Sequence, residues 1–163
     1  MKSELYPFQK EIIDWMLKNG SGLNACEVGL GKTLMALEVM ERAGAQKVLI
    51  FCPAVLKWQW QGEILKFHPE EAGRIVVIEG TKPERLKKWS SDKKFYLANY
   101  ELLLRDFGEM SRWRWDYIVA DESSRIANPR AKQSRLIKKL KSRQRLALTG
   151  TPILNKAEDI WSQ

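Results

Sequence analysis

The sequence predicts a three-layer α/β fold in which helices cover both faces of a mostly parallel central sheet. Short, almost continuously apolar runs alternate with amphipathic segments along the 163 residues. Strands that are apolar at nearly every position are buried on both faces, as they are in parallel sheets. Polar residues that can carry chemistry follow most of these runs directly, and the carboxyl ends of such strands are where α/β sheets bind ligands.

Six strands and six helices follow from this reading. The strands are predicted at 22–26, 47–52, 74–78, 95–100, 116–121 and 145–150. The helices are predicted at 7–18, 32–43, 55–67, 83–89, 101–107 and 131–142. Gly20, Gly44 and Gly108 stand where three of the helices would end. The hydrophilic segment 82–94 is predicted to be an exposed excursion, and the absence of a repeat or linker predicts one domain, residues 1–163.

Composition argues against several classes of protein. The longest uncharged stretch, 146–155, is too short to cross a bilayer, and the N-terminus lacks the apolar core of a secretory signal. We therefore expect a cytoplasmic chain with no membrane partner. Cys26 and Cys52 show no metal-binding spacing and are expected to be free buried thiols. His68 is the only histidine, which leaves no His-based zinc site, and we interpret it as structural.

A candidate phosphate-binding loop lies between the first strand and the second helix. Residues 26–33 end in Gly31, Lys32 and Thr33, as a phosphate loop does, although Cys26 stands where the usual pattern has glycine. Gly29 and Gly31 permit backbone conformations that place amides around an anion, Lys32 can neutralise phosphate charge and the Thr33 hydroxyl can bind Mg²⁺. The alternative is an ordinary turn followed by a helix.

The fifth predicted strand ends in two carboxylates, Asp121 and Glu122. In a nucleotide-hydrolysing site, Asp121 would hold Mg²⁺ and Glu122 would orient and help to deprotonate the attacking water. The alternative is an acidic strand end that caps the next helix. The phosphate loop about ninety residues earlier favours the catalytic interpretation.

The chain is basic, with a formal net charge of +8, and the excess is local. Residues 123–157 contain no acidic residue and ten basic ones: Arg125, Arg130, Lys132, Arg135, Lys138, Lys139, Lys141, Arg143, Arg145 and Lys156. Such a cluster is typical of a surface that meets a polyanion. The alternative is the solvated face of a helix whose buried side carries Leu136, Ile137 and Leu140.

Six segments together resemble the first RecA-like lobe of a superfamily-two helicase, and most closely its Swi/Snf-related branch of DNA translocases. These segments are 5–9, 27–33, 52–63, 98–106, 121–132 and 146–162. The resemblance covers nearly the whole chain. It implies a P-loop NTPase fold and an ATP-driven motor that uses Mg²⁺ and tracks along duplex DNA. It also implies association with the nucleoid when DNA is bound.

The resemblance also implies roles for individual residues. The catalytic residues would be Lys32, Asp121 and Glu122, with Thr33 and Asp121 serving the metal. Gln9 would read adenine, with Tyr6 or Phe8 near the base. The nucleotide-binding set would be Tyr6, Gln9, Glu27, Gly29, Leu30, Gly31, Lys32 and Thr33.

Three residues at the end of the sixth strand, Thr149, Gly150 and Thr151, would couple the nucleotide state to DNA contact. Pro53, Trp60, Asn99 and Tyr100 would lie on or near the DNA path, although most tryptophans, Trp15 and Trp60 included, are expected to pack in the core or at an interface.

Three departures from the family pattern limit what the resemblance implies. Cys26 stands where aspartate is common, and Ser123 and Ser124 stand where Gly-His is common, which leaves open how the γ-phosphate is sensed. No second RecA-like lobe follows before Gln163, so that lobe is expected as a partner of a monomeric chain. A P-loop kinase or GTPase, and a non-enzymatic nucleic-acid-binding module with a vestigial nucleotide site, remain as alternative functions.

Overall fold

The computed structural model describes residues 5–150. Its helices are α1 Pro7–Asn19, α2 Lys32–Arg42, α3 Lys57–Phe67, α4 Lys82–Trp89, α5 Leu102–Arg105, α6 Phe107–Ser111 and α7 Lys132–Lys139. Its strands are β1 Gly22–Asn24, β2 Val48–Cys52, β3 Ile75–Val77, β4 Phe95–Asn99, β5 Trp115–Asp121 and β6 Ser142–Leu148. Short 3₁₀ helices span Ala54–Leu56, Pro69–Arg74 and Ser123–Ile126.

The six strands form one sheet in the order β1-β6-β5-β2-β4-β3, and every neighbouring pair is parallel. The register aligns Cys52 of β2 with Asn99 of β4, and Asp121 of β5 with Leu148 of β6. The carboxyl ends of the strands therefore meet along one edge of the sheet. This arrangement confirms the predicted α/β fold with a parallel sheet.

Alternate residues of the strands feed two separate cores, one on each face of the sheet. Ile50 and Val119 point into the core beneath α1, α2 and α3, whereas Phe51 and Ile118 point into the core beneath α4 to α7. Side-chain alternation along a strand makes this division necessary once both faces are covered. The three layers predicted from the apolar runs follow from it.

The predicted boundary between α7 and β6 is wrong. The amphipathic pattern predicted a helix over 131–142 and a strand from 145, whereas α7 ends at Lys139 and β6 begins at Ser142. The Arg145 guanidinium donates to the carbonyl oxygens of Ile137 and Leu140. Because the last carbonyls of a helix lack partners within it, these bonds stabilise an early helix end.

A second difference concerns segment 82–94, which was predicted to be exposed. Trp89 at the end of α4 is 1% exposed, and its Nε1–H donates to Asp106 at 3.1 Å. Arg85, one turn earlier, also binds the Asp106 carboxylate. Asp106 in turn separates α5 from α6, where one helix over 101–107 was predicted. The buried face of α4 thus covers the sheet.

The helices, cysteines and histidine of the described residues show how the membrane and metal-binding classes stand. Within residues 5–150, no helix combines the length and the apolar character needed to span a membrane. The same residues contain no group of three or more His, Cys, Asp or Glu side chains that could hold a metal ion. Both cysteines are free thiols, Cys52 buried and Cys26 half-buried. His68 is buried at the end of α3, with its Nδ1 3.4 Å from Glu70.

Candidate nucleotide site

The loop between β1 and α2 has the backbone geometry of an anion site. Gly29 and Gly31 adopt φ angles of +90° and +79°, in the region that favours glycine, and Gly31 caps the first turn of α2. The free amides and the positive dipole end of this 11-residue helix face the loop. The glycines singled out in the sequence are therefore required by the turn itself.

Lys32 closes the loop in this structure. Its Nζ donates to the carbonyl oxygens of Cys26 at 2.9 Å and Glu27 at 3.0 Å. Both acceptors are neutral, so the lysine charge has no direct counter-ion among these contacts. Thr33 lies half-exposed in the first turn of α2. A phosphate group would meet both side chains at the mouth of the loop.

Asn24, which the sequence reading missed, joins this loop to the end of β6. Its Oδ1 accepts the Cys26 N–H at 3.2 Å, and its backbone oxygen accepts the Thr149 N–H at 3.1 Å. A Cβ on Gly150 would come within 2.9 Å of the Val28 side chain, so the chain after β6 lies directly against the loop. The signal in the sequence was that Asn24 is the one polar residue in the otherwise apolar run 22–26. Thr151 lies outside the described residues.

Gln9 ties the start of α1 to the phosphate loop. Its side chain is buried, its Oε1 accepts the Tyr6 N–H at 3.0 Å, and its Nε2 donates to the Leu30 carbonyl at 3.1 Å. The rings of Tyr6 and Phe8 stack with centroids 6.0 Å apart, and both are partly exposed. The structure thus brings Gln9 to the loop, with the Tyr6 and Phe8 rings beside it at the start of α1.

Asp121 ends β5 with its carboxylate on the same sheet face as α3. Its Oδ2 accepts the Trp60 indole N–H at 2.8 Å, and its Oδ1 accepts the Glu122 backbone N–H at 3.0 Å. Burial raises the pKa of Asp121 above its ordinary value, against the opposing effects of these two bonds and of the Lys32 charge. Asp121 is in register with Leu148 of β6, and the chain after β6 lies against the phosphate loop, so the carboxylate and the loop share one edge of the sheet.

Glu122 has an unusual backbone. Its φ of 50° and ψ of 50° are left-handed, and within residues 5–150 it is the one non-glycine residue with a positive φ. The conformation costs about 1–3 kcal/mol and is concentrated at functional sites. The Tyr100 hydroxyl donates to the preceding carbonyl, that of Asp121, at 2.7 Å. The peptide that joins the two predicted catalytic carboxylates is therefore held from outside its own strand.

The structure corrects part of the predicted DNA path. Pro53 and Asn99 are half-exposed at the carboxyl ends of β2 and β4, as expected for surface contacts. Trp60 and Tyr100 are each 2% exposed and bind Asp121 instead. These two side chains are thus not surface contacts for DNA here, because their polar atoms are already used inside the domain. Trp15, expected to pack, is 54% exposed.

The basic segment forms an exposed face along α7 and its flanks. Eight of its ten cations are exposed: Arg125, Arg130, Lys132, Arg135, Lys138, Lys139, Lys141 and Arg143. Arg145 is not part of this face, because it binds the end of α7, and burial lowers its pKa. Lys156 lies outside the described residues. We call the eight exposed cations the basic face.

The comparisons with known proteins agree with this geometry. The family of SNF2-related domains matches residues 8–163. The solved SWI2/SNF2 ATPase core of Sulfolobus solfataricus in complex with dsDNA is 38% identical, with a TM-score of 0.87 over 99% of this chain and 35% of that one. The structural likeness confirms the predicted RecA-like fold.

Curated relatives are similar over the same extent. The putative ATP-dependent helicase/translocase YwqA of Bacillus subtilis is 33% identical over 177 residues, and Helicase SWR1 of Debaryomyces hansenii is 30% identical over 176 residues. Each alignment covers 99% of this chain, which spans 18% of the length of the first relative and 11% of the second.

Proposed function

The chain belongs to the SNF2-related family of helicase-like ATPases, and we propose that it is the ATP-binding lobe of a DNA-dependent ATPase that translocates on duplex DNA. The proposal is carried by one observation. Asp121 ends β5 in register with Leu148 of β6, and the chain that follows β6 lies against the glycine-built loop that Lys32 closes, where a Cβ on Gly150 would come within 3.8 Å of the Lys32 Nζ. A cation, a helix N-terminus and a carboxylate at one strand edge suit a magnesium-bound triphosphate.

Each residue of the site has a definite task under this proposal. Lys32 leaves its two carbonyl partners to bind the terminal phosphates, while the amides of the loop hold the others. Thr33 and Asp121 supply the oxygen donors that magnesium prefers. Magnesium, when bound, neutralises charge on the terminal phosphates. Glu122 orients the attacking water and accepts its proton.

The DNA partner and the second lobe belong to the same proposal. The neighbour from Sulfolobus solfataricus was solved with dsDNA, and the basic face and the strand ends at Pro53 and Asn99 offer this chain cationic and polar surfaces for a backbone contact. We propose that a second RecA-like lobe completes both the nucleotide site and the DNA grip. The chain would act as a monomer in the cytoplasm, at the nucleoid when DNA is bound.

The nucleotide site is tested by replacing Lys32 with alanine. Lys32 contributes charge at a half-exposed loop and little to either core, so Lys32→Ala should keep its circular dichroism spectrum. It should lose most of its affinity for a fluorescent ATP analogue in the presence of Mg²⁺. Lys66→Ala, which removes an exposed lysine of α3, is the matched control and should bind as the unsubstituted chain does.

Two results would count against the site. Unchanged ATP affinity in folded Lys32→Ala would remove Lys32 from it. Equal affinity for GTP and ATP would remove Gln9 as the reader of adenine. A different result, nucleic-acid binding with no ATP turnover in a two-lobed protein, would favour the non-enzymatic alternative.

A further inference from the structure

Two buried side chains hold the end of β5 from opposite faces of the sheet. Trp60 lies in the core beneath α1 to α3, and its Nε1–H donates to Oδ2 of Asp121 at 2.8 Å. Tyr100 lies in the opposite core, and its hydroxyl donates to the backbone oxygen of Asp121 at 2.7 Å. The first bond orients the carboxylate, and the second orients the peptide that leads to Glu122.

The second bond matters because of the conformation that follows it. Glu122 is held at a φ of 50°, which a non-glycine residue keeps only where its surroundings enforce it. The carbonyl of Asp121 sets the plane of the peptide that enters Glu122. Tyr100, whose ring also stacks on Phe51 at 5.7 Å, is therefore a rigid external support for the direction of the Glu122 side chain.

The same two residues are attached to the strand ends that would face DNA. Trp60 belongs to α3, which continues from the short 3₁₀ helix that begins directly after Pro53. Tyr100 follows Asn99, the last residue of β4, without an intervening residue. A displacement of either strand end would reach Asp121 through one side chain. The carboxylates are thus connected mechanically to two separate parts of the strand edge.

We propose that Trp60 and Tyr100 are positioning residues of the ATPase reaction, which link the DNA-facing ends of β2 and β4 to the Asp121–Glu122 peptide. The proposal rests on the proposed function. Neither side chain is assigned a contact with the nucleotide or the metal; each acts by holding one group of Asp121. Because a displacement of about 1 Å at a reacting group lowers a rate by up to about 10²-fold, loss of either bond should appear in kcat.

Tyr100→Phe is the sharpest test, because it removes one hydroxyl and keeps the ring. In the complete protein with both lobes, kcat at saturating DNA should fall about 10-fold or more, whereas KM for Mg-ATP and the affinity for DNA change less than about 3-fold. Tyr117→Phe is the matched control. Tyr117 is a buried tyrosine of β5 whose hydroxyl has no hydrogen-bond partner, so its removal should leave kcat unchanged.

Trp60 is tested by site-specific analogues, because a smaller side chain would leave a cavity. Benzothienylalanine keeps the shape and replaces the indole N–H with sulfur, whereas 5-fluorotryptophan keeps the N–H. Benzothienylalanine at position 60 should lower kcat and raise the Mg²⁺ concentration needed for half-maximal rate. 5-Fluorotryptophan should leave both quantities close to those of the unsubstituted protein. The same pair at Trp89, whose Nε1–H donates to Asp106 at 3.1 Å, should change neither.

The outcomes separate this proposal from the function on which it rests. Normal kcat in Tyr100→Phe and in the Trp60 analogue without an N–H would overturn the positioning role alone. Weaker DNA binding with unchanged kcat would also overturn it, by making these residues part of the DNA contact. No ATP turnover in the unsubstituted two-lobed protein would overturn both proposals.

Discussion

The guanidinium of Arg85 and the carboxylate of Asp106 form a two-bonded ion pair, with Nε to Oδ2 at 2.7 Å and Nη2 to Oδ1 at 2.9 Å. The side chains are 10% and 2% exposed. A buried guanidinium that loses its carboxylate keeps the cost of desolvation without the compensating attraction. The pair joins α4 to the junction of α5 and α6 on the face opposite the phosphate loop.

Asp106→Ala is therefore expected to lower the free energy of unfolding by about 3–5 kcal/mol, the usual effect of breaking a buried pair on one side. Asp92→Ala is the control. Asp92 also pairs with a lysine, at 3.0 Å from Lys47, but it is 98% exposed, so its loss should cost less than about 1 kcal/mol. Urea unfolding followed by circular dichroism measures both. Equal losses in the two variants would contradict the assignment of a buried pair.

The pH dependence of stability gives a second readout of the same pair. Burial acts to raise the pKa of Asp106, but hydrogen bonds from Arg85 and Trp89 outweigh it and lower that pKa below its ordinary value. A depressed carboxyl pKa contributes stability that is complete above the unfolded value, about 3.9, and disappears as pH falls through the folded value. The stability difference between the unsubstituted chain and Asp106→Asn should accordingly shrink as the pH falls below about 4.

The sequence was sufficient for the parts of the fold that local pattern determines. The strand before Asp121 is apolar at most positions, and the turn around Gly29 and Gly31 has residues that only such a turn requires. The all-parallel sheet then places the phosphate loop and Asp121 at one edge. The positions of these strand-end residues could therefore be predicted before any contact was known, whereas their roles stay predictions.

Contacts between distant residues could not be predicted in this way. Trp60 is 61 residues from Asp121 in sequence, and nothing in the helical pattern around it shows that its indole N–H meets a carboxylate. Arg145 reads as one more cation of a basic segment until its bonds to Ile137 and Leu140 are seen. The break between α5 and α6 is likewise fixed by tertiary partners of Asp106.

Glu122 allows stability and catalysis to be separated. Glu122→Gln keeps the shape but not the basicity, so it should still bind Mg-ATP, and its turnover in a two-lobed protein should fall about 10²–10⁴-fold. Glu122→Gly should lose turnover as well, yet raise the free energy of unfolding by up to about 1 kcal/mol. A residue with a Cβ loses about 1–2 kcal/mol in this left-handed conformation, and glycine removes that cost. Glycine also loses more chain entropy on folding, which offsets part of the stabilisation.

Glu11→Gly is the opposite case and serves as the control. Glu11 lies exposed in α1, where glycine should lower the free energy of unfolding by about 1 kcal/mol. Thermal and urea unfolding measure both changes. Destabilisation of similar size at Glu122 and Glu11 would show that the left-handed conformation of Glu122 is not strained.

The basic face should bind duplex DNA weakly and without sequence preference. Each phosphate that it neutralises releases counter-ions, which contributes about −0.9 to the slope of log affinity against log salt. Replacing Arg135, Lys138 and Lys139 of α7 with alanine should make that slope shallower. Replacing Lys82 and Lys87, two exposed lysines of α4, with alanine should leave the slope unchanged. Fluorescence anisotropy of labelled duplex DNA over a salt series measures the slope for each variant. An affinity insensitive to salt would exclude an electrostatic interface.

The last prediction concerns hydrolysis by residues 1–163 alone. They should fold as a monomer, bind ATP poorly and show little turnover even at saturating DNA. The chain supplies Lys32, Asp121 and Glu122, but a phosphoryl-transfer site also uses an arginine against the developing charge, which is worth about 10³–10⁵ in rate. We expect that arginine on the second lobe, so joining the two lobes should restore DNA-stimulated turnover.

If the short chain turns over robustly, Arg125 and Arg130, both exposed beyond β5, become the candidates for the arginine that completes the site. Arg125→Ala and Arg130→Ala would then identify which one completes the site, and the two-lobe requirement would be wrong.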